Sequence, residues 1–108
     1  MSPHFQIGFD RNDIAKFCKK WGVKQLSLFG SVLRADFSNE SDIDVLLTFE
    51  PLETPSLFDF VELKEDLAEV FGNRSIDVLT RYAVENSAND LRKEQILSTA
   101  LPIYDEAA

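Results

Sequence analysis

Two short words constrain this chain most: Asp42-Ile43-Asp44-Val45-Leu46-Leu47-Thr48-Phe49 and Ser75-Ile76-Asp77-Val78-Leu79-Thr80. Both are rich in β-branched and apolar residues and read as strands. Side chains alternate along a strand. In the first word Ile43, Val45, Leu47 and Phe49 therefore share one face, and Asp42, Asp44, Leu46 and Thr48 share the other. In the second, Ile76 and Val78 point one way while Asp77 and Leu79 point the other. The first faces need a covering layer. The second begin with carboxylates, two on the first word and one on the second.

Segments of helical period supply the layer. Over 10–21, Ile14, Phe17, Cys18 and Trp21 recur at i, i+3, i+4 and i+7, with Asp10 suited to the N-cap and Gly22 to the stop. Cys18 and Trp21 read as core residues. Over 56–71, Leu57, Phe60, Leu63, Leu67, Val70 and Phe71 form one broad apolar stripe ending at Gly72. A last helix is expected over 88–100, with Ser87 and Asp90 spaced as a capping box. Residues 24–29 read as a strand ending at Gly30, and 101–104 as a closing strand that Pro102 confines to an edge. The polar link from 31 to 41 must contain a turn. Its period does not decide between a hairpin-like and a crossing connection. The order is helix, strand, strand, helix, strand, helix, strand. It predicts an α/β (α+β) fold with a small mixed β-sheet flanked by helices.

With 108 residues, one domain over 1–108 is expected, its start at 1–9 loosely ordered. No run is long and apolar enough for a membrane span, and no signal peptide is visible. The single cysteine excludes an internal disulfide and suits a cytoplasmic setting. Net charge is −8, from 19 acidic and 11 basic residues. Phosphate backbones are held by clustered Lys and Arg, so long nucleic acid is a disfavoured partner for this domain alone. A cationic protein, a metal ion or a metal-complexed nucleotide suits the charge better. The lone histidine, His4, sits near the terminus and offers neither a zinc site nor a catalytic pair.

The acidic faces are where chemistry concentrates. Asp42 and Asp44 lie two strand steps apart, roughly 7 Å. Like charges that close repel unless a cation or water intervenes. Oxygen ligands at this density suit Mg²⁺, which takes one or two carboxylates and completes its shell with water and phosphate. If the two strands are neighbours, Asp77 joins from the side, and three carboxylates could hold two divalent ions for in-line phosphoryl or nucleotidyl transfer. Gly30, at a strand end just before Ser31, lets a phosphate approach the backbone. Arg34 could add a positive charge to the same pocket. Each feature alone is more often a plain turn, cap or surface residue. Tyr82 and Tyr104 could accept a modification but fit surface or core roles.

The joint spacing is more specific than its parts. Gly30-Ser31, ten residues, Asp42-x-Asp44 and a later strand Asp77 resembles the signature of the DNA polymerase β-like nucleotidyltransferase superfamily. The closer likeness, over Val23 to Tyr104, is to its minimal nucleotidyltransferase branch, whose members resemble antitoxins. The resemblance implies a palm-like fold. It implies that Gly30 and Ser31 contact the β- and γ-phosphates of ATP, and that Asp42, Asp44 and Asp77 hold two Mg²⁺ ions, Asp77 also helping to activate the incoming hydroxyl. It further implies transfer of AMP to a partner protein, a HEPN-type ribonuclease toxin. Alternatives are an antitoxin that neutralises by binding alone, and transfer to a small molecule or an RNA end.

Overall fold

A computed structural model of the chain describes residues 8–30, 42–50 and 54–107. Its elements, in chain order, are α1 (Arg11–Trp21), β1 (Val23–Phe29), β2 (Ile43–Phe49), α2 (Leu57–Val70), β3 (Ile76–Thr80), α3 (Arg81–Glu85), α4 (Asp90–Thr99) and β4 (Leu101–Asp105). Among the described residues one sheet forms, in the order β3-β2-β1-β4. β1 runs antiparallel to both β2 and β4, and β2 runs parallel to β3. The sheet is thus mixed, as expected. β1 and β2, consecutive in the chain, are antiparallel neighbours, so they are related as in a hairpin and no crossover separates them. β4 lies at an edge, where Pro102 can pair in register with Ser27 without breaking an inner ladder.

The two faces of the sheet are covered differently. Leu26, Leu28, Ile43, Val45, Leu47 and Ile76 meet Ile14, Phe17 and Cys18 of α1 and Leu63 and Leu67 of α2 in the larger core. Cys18 is fully buried there, and burial pushes its thiol pKa up to about 12. Across the sheet, Phe29 and Leu46 meet Val84 of α3 and Ile96 of α4 in a smaller cluster. The second cluster sits on the same strand face as Asp44 and Asp77, so α3 and α4 bound the acidic end of that face.

Caps explain the helix limits. Asp10 accepts from the Asn12 N–H at 2.7 Å, and Gly22 closes α1 in the left-handed region at φ 68°. Ser56 accepts from Asp59 N–H at the start of α2. Lys20 and the Trp21 indole both donate to Asp66 Oδ2, at 2.7 and 3.0 Å, fastening α1 to α2. Trp21 is accordingly half-buried rather than core. The start of the chain is held from residue 9 onward: Phe9 packs edge-on against Phe71, with centroids 5.9 Å apart.

Three further expectations need correction. The buried stripe of α2 begins at Leu63, because Leu57 is 88% exposed on the first turn and Phe60 is only half-buried. The cap of α4 is Asn89, whose side chain accepts from Arg92 N–H, and Ser87 instead bonds Asn89 N–H. Between β3 and α4 the chain inserts α3, capped by Thr80. Its five residues are too few for a period to show in sequence.

Candidate active site

The parallel pairing of β2 and β3 sets Ile43 against Ile76 and Asp44 against Asp77. Residues in register on neighbouring strands point to the same face, about 4.8 Å apart. The two carboxylates are therefore side by side, each on the second residue of its strand. Asp44 is half-buried and Asp77 exposed. Asp42 precedes β2 and is exposed; next to it the Ile43 N–H donates to the Ser75 carbonyl at 2.9 Å, which locks the acidic ends of the two strands together.

Gly30 completes this corner from β1. Phe29 pairs with Asp44, so the chain leaves the sheet beside that carboxylate. Gly30 adopts φ +74°, and a Cβ built there would fall on Asp44 Oδ2 and lie 3.1 Å from its Cγ. The backbone conformation favours glycine, and any side chain there would displace the Asp44 carboxylate from its position. The structure brings Gly30, Asp44 and Asp77 together. Ser31 and Arg34 lie outside the described residues.

Among the described residues, no three acidic, histidine or cysteine side chains converge into a ready-made metal cage. The donor set still suits Mg²⁺, which prefers one or two carboxylates and leaves the other positions to water and phosphate. The missing side chain at Gly30 leaves room for the Asp44 carboxylate itself, which keeps that donor at the end of the sheet.

One residue at this corner escaped the sequence reading. A cavity of about 170 Å³ is lined by Phe29, Gly30, Arg92, Gln95, Ile96 and Thr99. It brings α4 to the side of Gly30 and gives the corner a guanidinium. The available signal was weak: Arg92 stands one turn before the buried Ile96 and shares its helix face. A larger cavity, about 450 Å³, lies at the opposite end of β2 around Thr48, Thr54, Thr80 and Tyr82. Asp44 and Thr48 are separated by about 13 Å of strand, so that cavity does not contain the carboxylates. Tyr82 is 78% exposed there, and Tyr104 packs at the margin of the larger core.

Comparison with known proteins gives a consistent picture. The family model for the nucleotidyltransferase domain matches residues 12–102. A Methanocaldococcus jannaschii chain, MJ0435, named as a candidate protein adenylyltransferase, is 44% identical over 84 residues, covering 78% of this chain and 83% of that one. A solved structure described as a candidate minimal nucleotidyltransferase superposes with a TM-score of 0.65 at 31% identity, covering 86% of this chain and 88% of that one. A toxin–antitoxin crystal structure with AMP-PNP shares the fold, with a TM-score of 0.65 at 19% identity, over 89% of this chain and 73% of that one.

Proposed function

The chain belongs to the nucleotidyltransferase domain family, in its minimal branch, and we propose that it transfers AMP from ATP to a partner protein, acting as the antitoxin of a HEPN-type ribonuclease toxin. The observation that carries the reading is the in-register pair Asp44 and Asp77 beside the bare backbone of Gly30. The adenylyltransferase name of the 44% identical relative supports a protein acceptor, and the toxin–antitoxin structure with AMP-PNP supports both the partner class and the nucleotide. The net charge of −8 suits a basic partner.

The reaction needs alignment and charge neutralisation more than a covalent nucleophile. An acceptor hydroxyl oxygen attacks the α-phosphorus, the bond from Pα to the bridging oxygen breaks, and pyrophosphate leaves with that electron pair. Gly30 admits the triphosphate to the backbone, with Ser31 and Arg34 adding a hydroxyl and a positive charge. Asp77, the more exposed of the in-register pair, takes the acceptor proton in this reading. Mg²⁺ held by the in-register pair Asp44 and Asp77 would supply neutralisation of the phosphate charge.

Labelled ATP with Mg²⁺ and the cognate toxin should label the toxin, and Asp44→Ala should abolish labelling. Equal labelling by both proteins rejects the reading. A second reading, neutralisation by binding alone, is favoured by the exposed apolar first turn of α2, where Leu57, Phe58 and Val61 are 88%, 90% and 62% exposed. The doubly substituted Asp42→Ala/Asp44→Ala protein separates the two. If it binds the toxin yet fails to protect cells, transfer is the neutralising act.

A further inference from the structure

Arg92 is the cation on the α3–α4 flank that has no acidic partner among the described residues. Arg81 pairs with Glu85 at 3.8 Å and Lys93 with Asp90 at 3.6 Å, whereas no ion pair holds Arg92 among the described residues. Its side chain borders two cavities. One, about 170 Å³, is shared with Gly30, Gln95 and Thr99; the other, about 140 Å³, is shared with Leu79 and Val84. An exposed arginine beside a glycine that itself abuts an active-site carboxylate can meet an incoming anion.

We infer that Arg92 holds the pyrophosphate portion of the nucleotide, the β- and γ-phosphates, in the cavity beside Gly30. This rests on the proposed nucleotidyl transfer. Charge makes the case. A triphosphate carries about four negative charges at neutral pH and must settle beside Asp44 and Asp77, on a chain of net charge −8. With the α-phosphate at the carboxylate pair, the remaining phosphates have two directions open. Toward Asp77 they would meet another carboxylate. Past Gly30 they enter the cavity that Gly30 shares with Arg92, and reach the guanidinium, whose planar donors match two phosphate oxygens at once. Gln95 lines the same wall, while the Thr99 hydroxyl is already spent on the Gln95 carbonyl at 2.6 Å. The charge that develops on the leaving pyrophosphate as the Pα–O bond breaks therefore falls next to Arg92.

The simplest competing role is packing, with the aliphatic stem covering Ile96. Arg92→Met keeps the stem and removes the charge, and Arg92→Lys keeps the charge and removes the fork. Binding of ATP and of AMP, each with Mg²⁺, is measured by calorimetry on the full chain, with pyrophosphate competing against ATP. Arg92→Met should weaken ATP and pyrophosphate alike, by roughly ten- to a hundredfold, the scale of a lost charge-assisted hydrogen bond. AMP affinity should stay within twofold of wild type, and Arg92→Lys should fall between. Unchanged ATP affinity in Arg92→Met, or equal losses for ATP and AMP, overturns the inference and leaves the transfer reading standing. Failure of the wild-type chain to bind ATP overturns both.

Discussion

Gly30 and Gly72 both have positive φ, +74° and +75°, but only Gly30 has a neighbour within 4 Å of where a Cβ would stand. The pair separates backbone conformation from steric contact. Gly72→Ala should cost only the left-handed strain, about 1–2 kcal/mol, and leave transfer intact. Gly30→Ala carries that strain and also drives a methyl group into Asp44, so it should lower stability further and remove activity. Thermal melts with the labelling assay on both variants check this. An active Gly30→Ala protein would show that the carboxylate can retreat without loss, and the corner would not be the active site. From sequence, Gly30 was legible as a place where phosphate could approach, because it ends a strand before Ser31. Its contact with Asp44 was not, since it depends on how β1 and β2 pair across the intervening link.

Elements with a strong period were legible, and those defined by their surroundings were not. α1, β2 and β3 fall within a residue of their expected limits because alternation or a helical stripe marks them. α3 has too few residues to show a stripe, and the outer turn of α2 looks like core in sequence because apolar character alone does not reveal which face meets a neighbour. Strand ends hold a further feature that no local pattern shows. Glu50 follows β2 and donates its N–H to Gly22; Glu106 follows β4 and donates its N–H to Lys24. Both flanking strands thus end at the start of β1, and their carboxyls meet. A side-chain hydrogen bond with Glu50 raises the Glu106 pKa, with burial and the Glu50 charge adding to it. A raised folded-state pKa means that the contribution to stability is present below the ordinary value of 4.5 and is lost as pH rises through the shifted one. Glu106→Gln holds the neutral form at every pH. Its urea midpoint should match wild type near pH 4 and exceed it at pH 7.5; coincident midpoints at both would show that the two carboxyls do not interact.

At the scale of the whole molecule, the negative charge read from composition and the acidic corner read from coordinates act in the same direction. Arg92 lies 62 positions from Gly30 along the chain and reaches the corner only because α4 packs over Phe29 and Leu46, so no sequence spacing could have joined them. A triphosphate alone is repelled both by the net charge of −8 and by Asp44 and Asp77 together. A divalent ion between phosphate and carboxylates turns the same two groups from repulsive to attractive. The effect of one substitution should therefore change sign with the metal. In Mg²⁺, Asp44→Asn removes a ligand and should weaken ATP binding about tenfold or more, on the scale of one charged contact. In EDTA it removes a repelling charge, and the variant should bind ATP better than wild type, both affinities being low. Added salt should narrow the EDTA difference by screening. Equilibrium dialysis of wild type and Asp44→Asn under the two conditions decides it. A variant that is weaker by the same factor with and without metal would mean that Asp44 supports the fold of the corner and holds no cation.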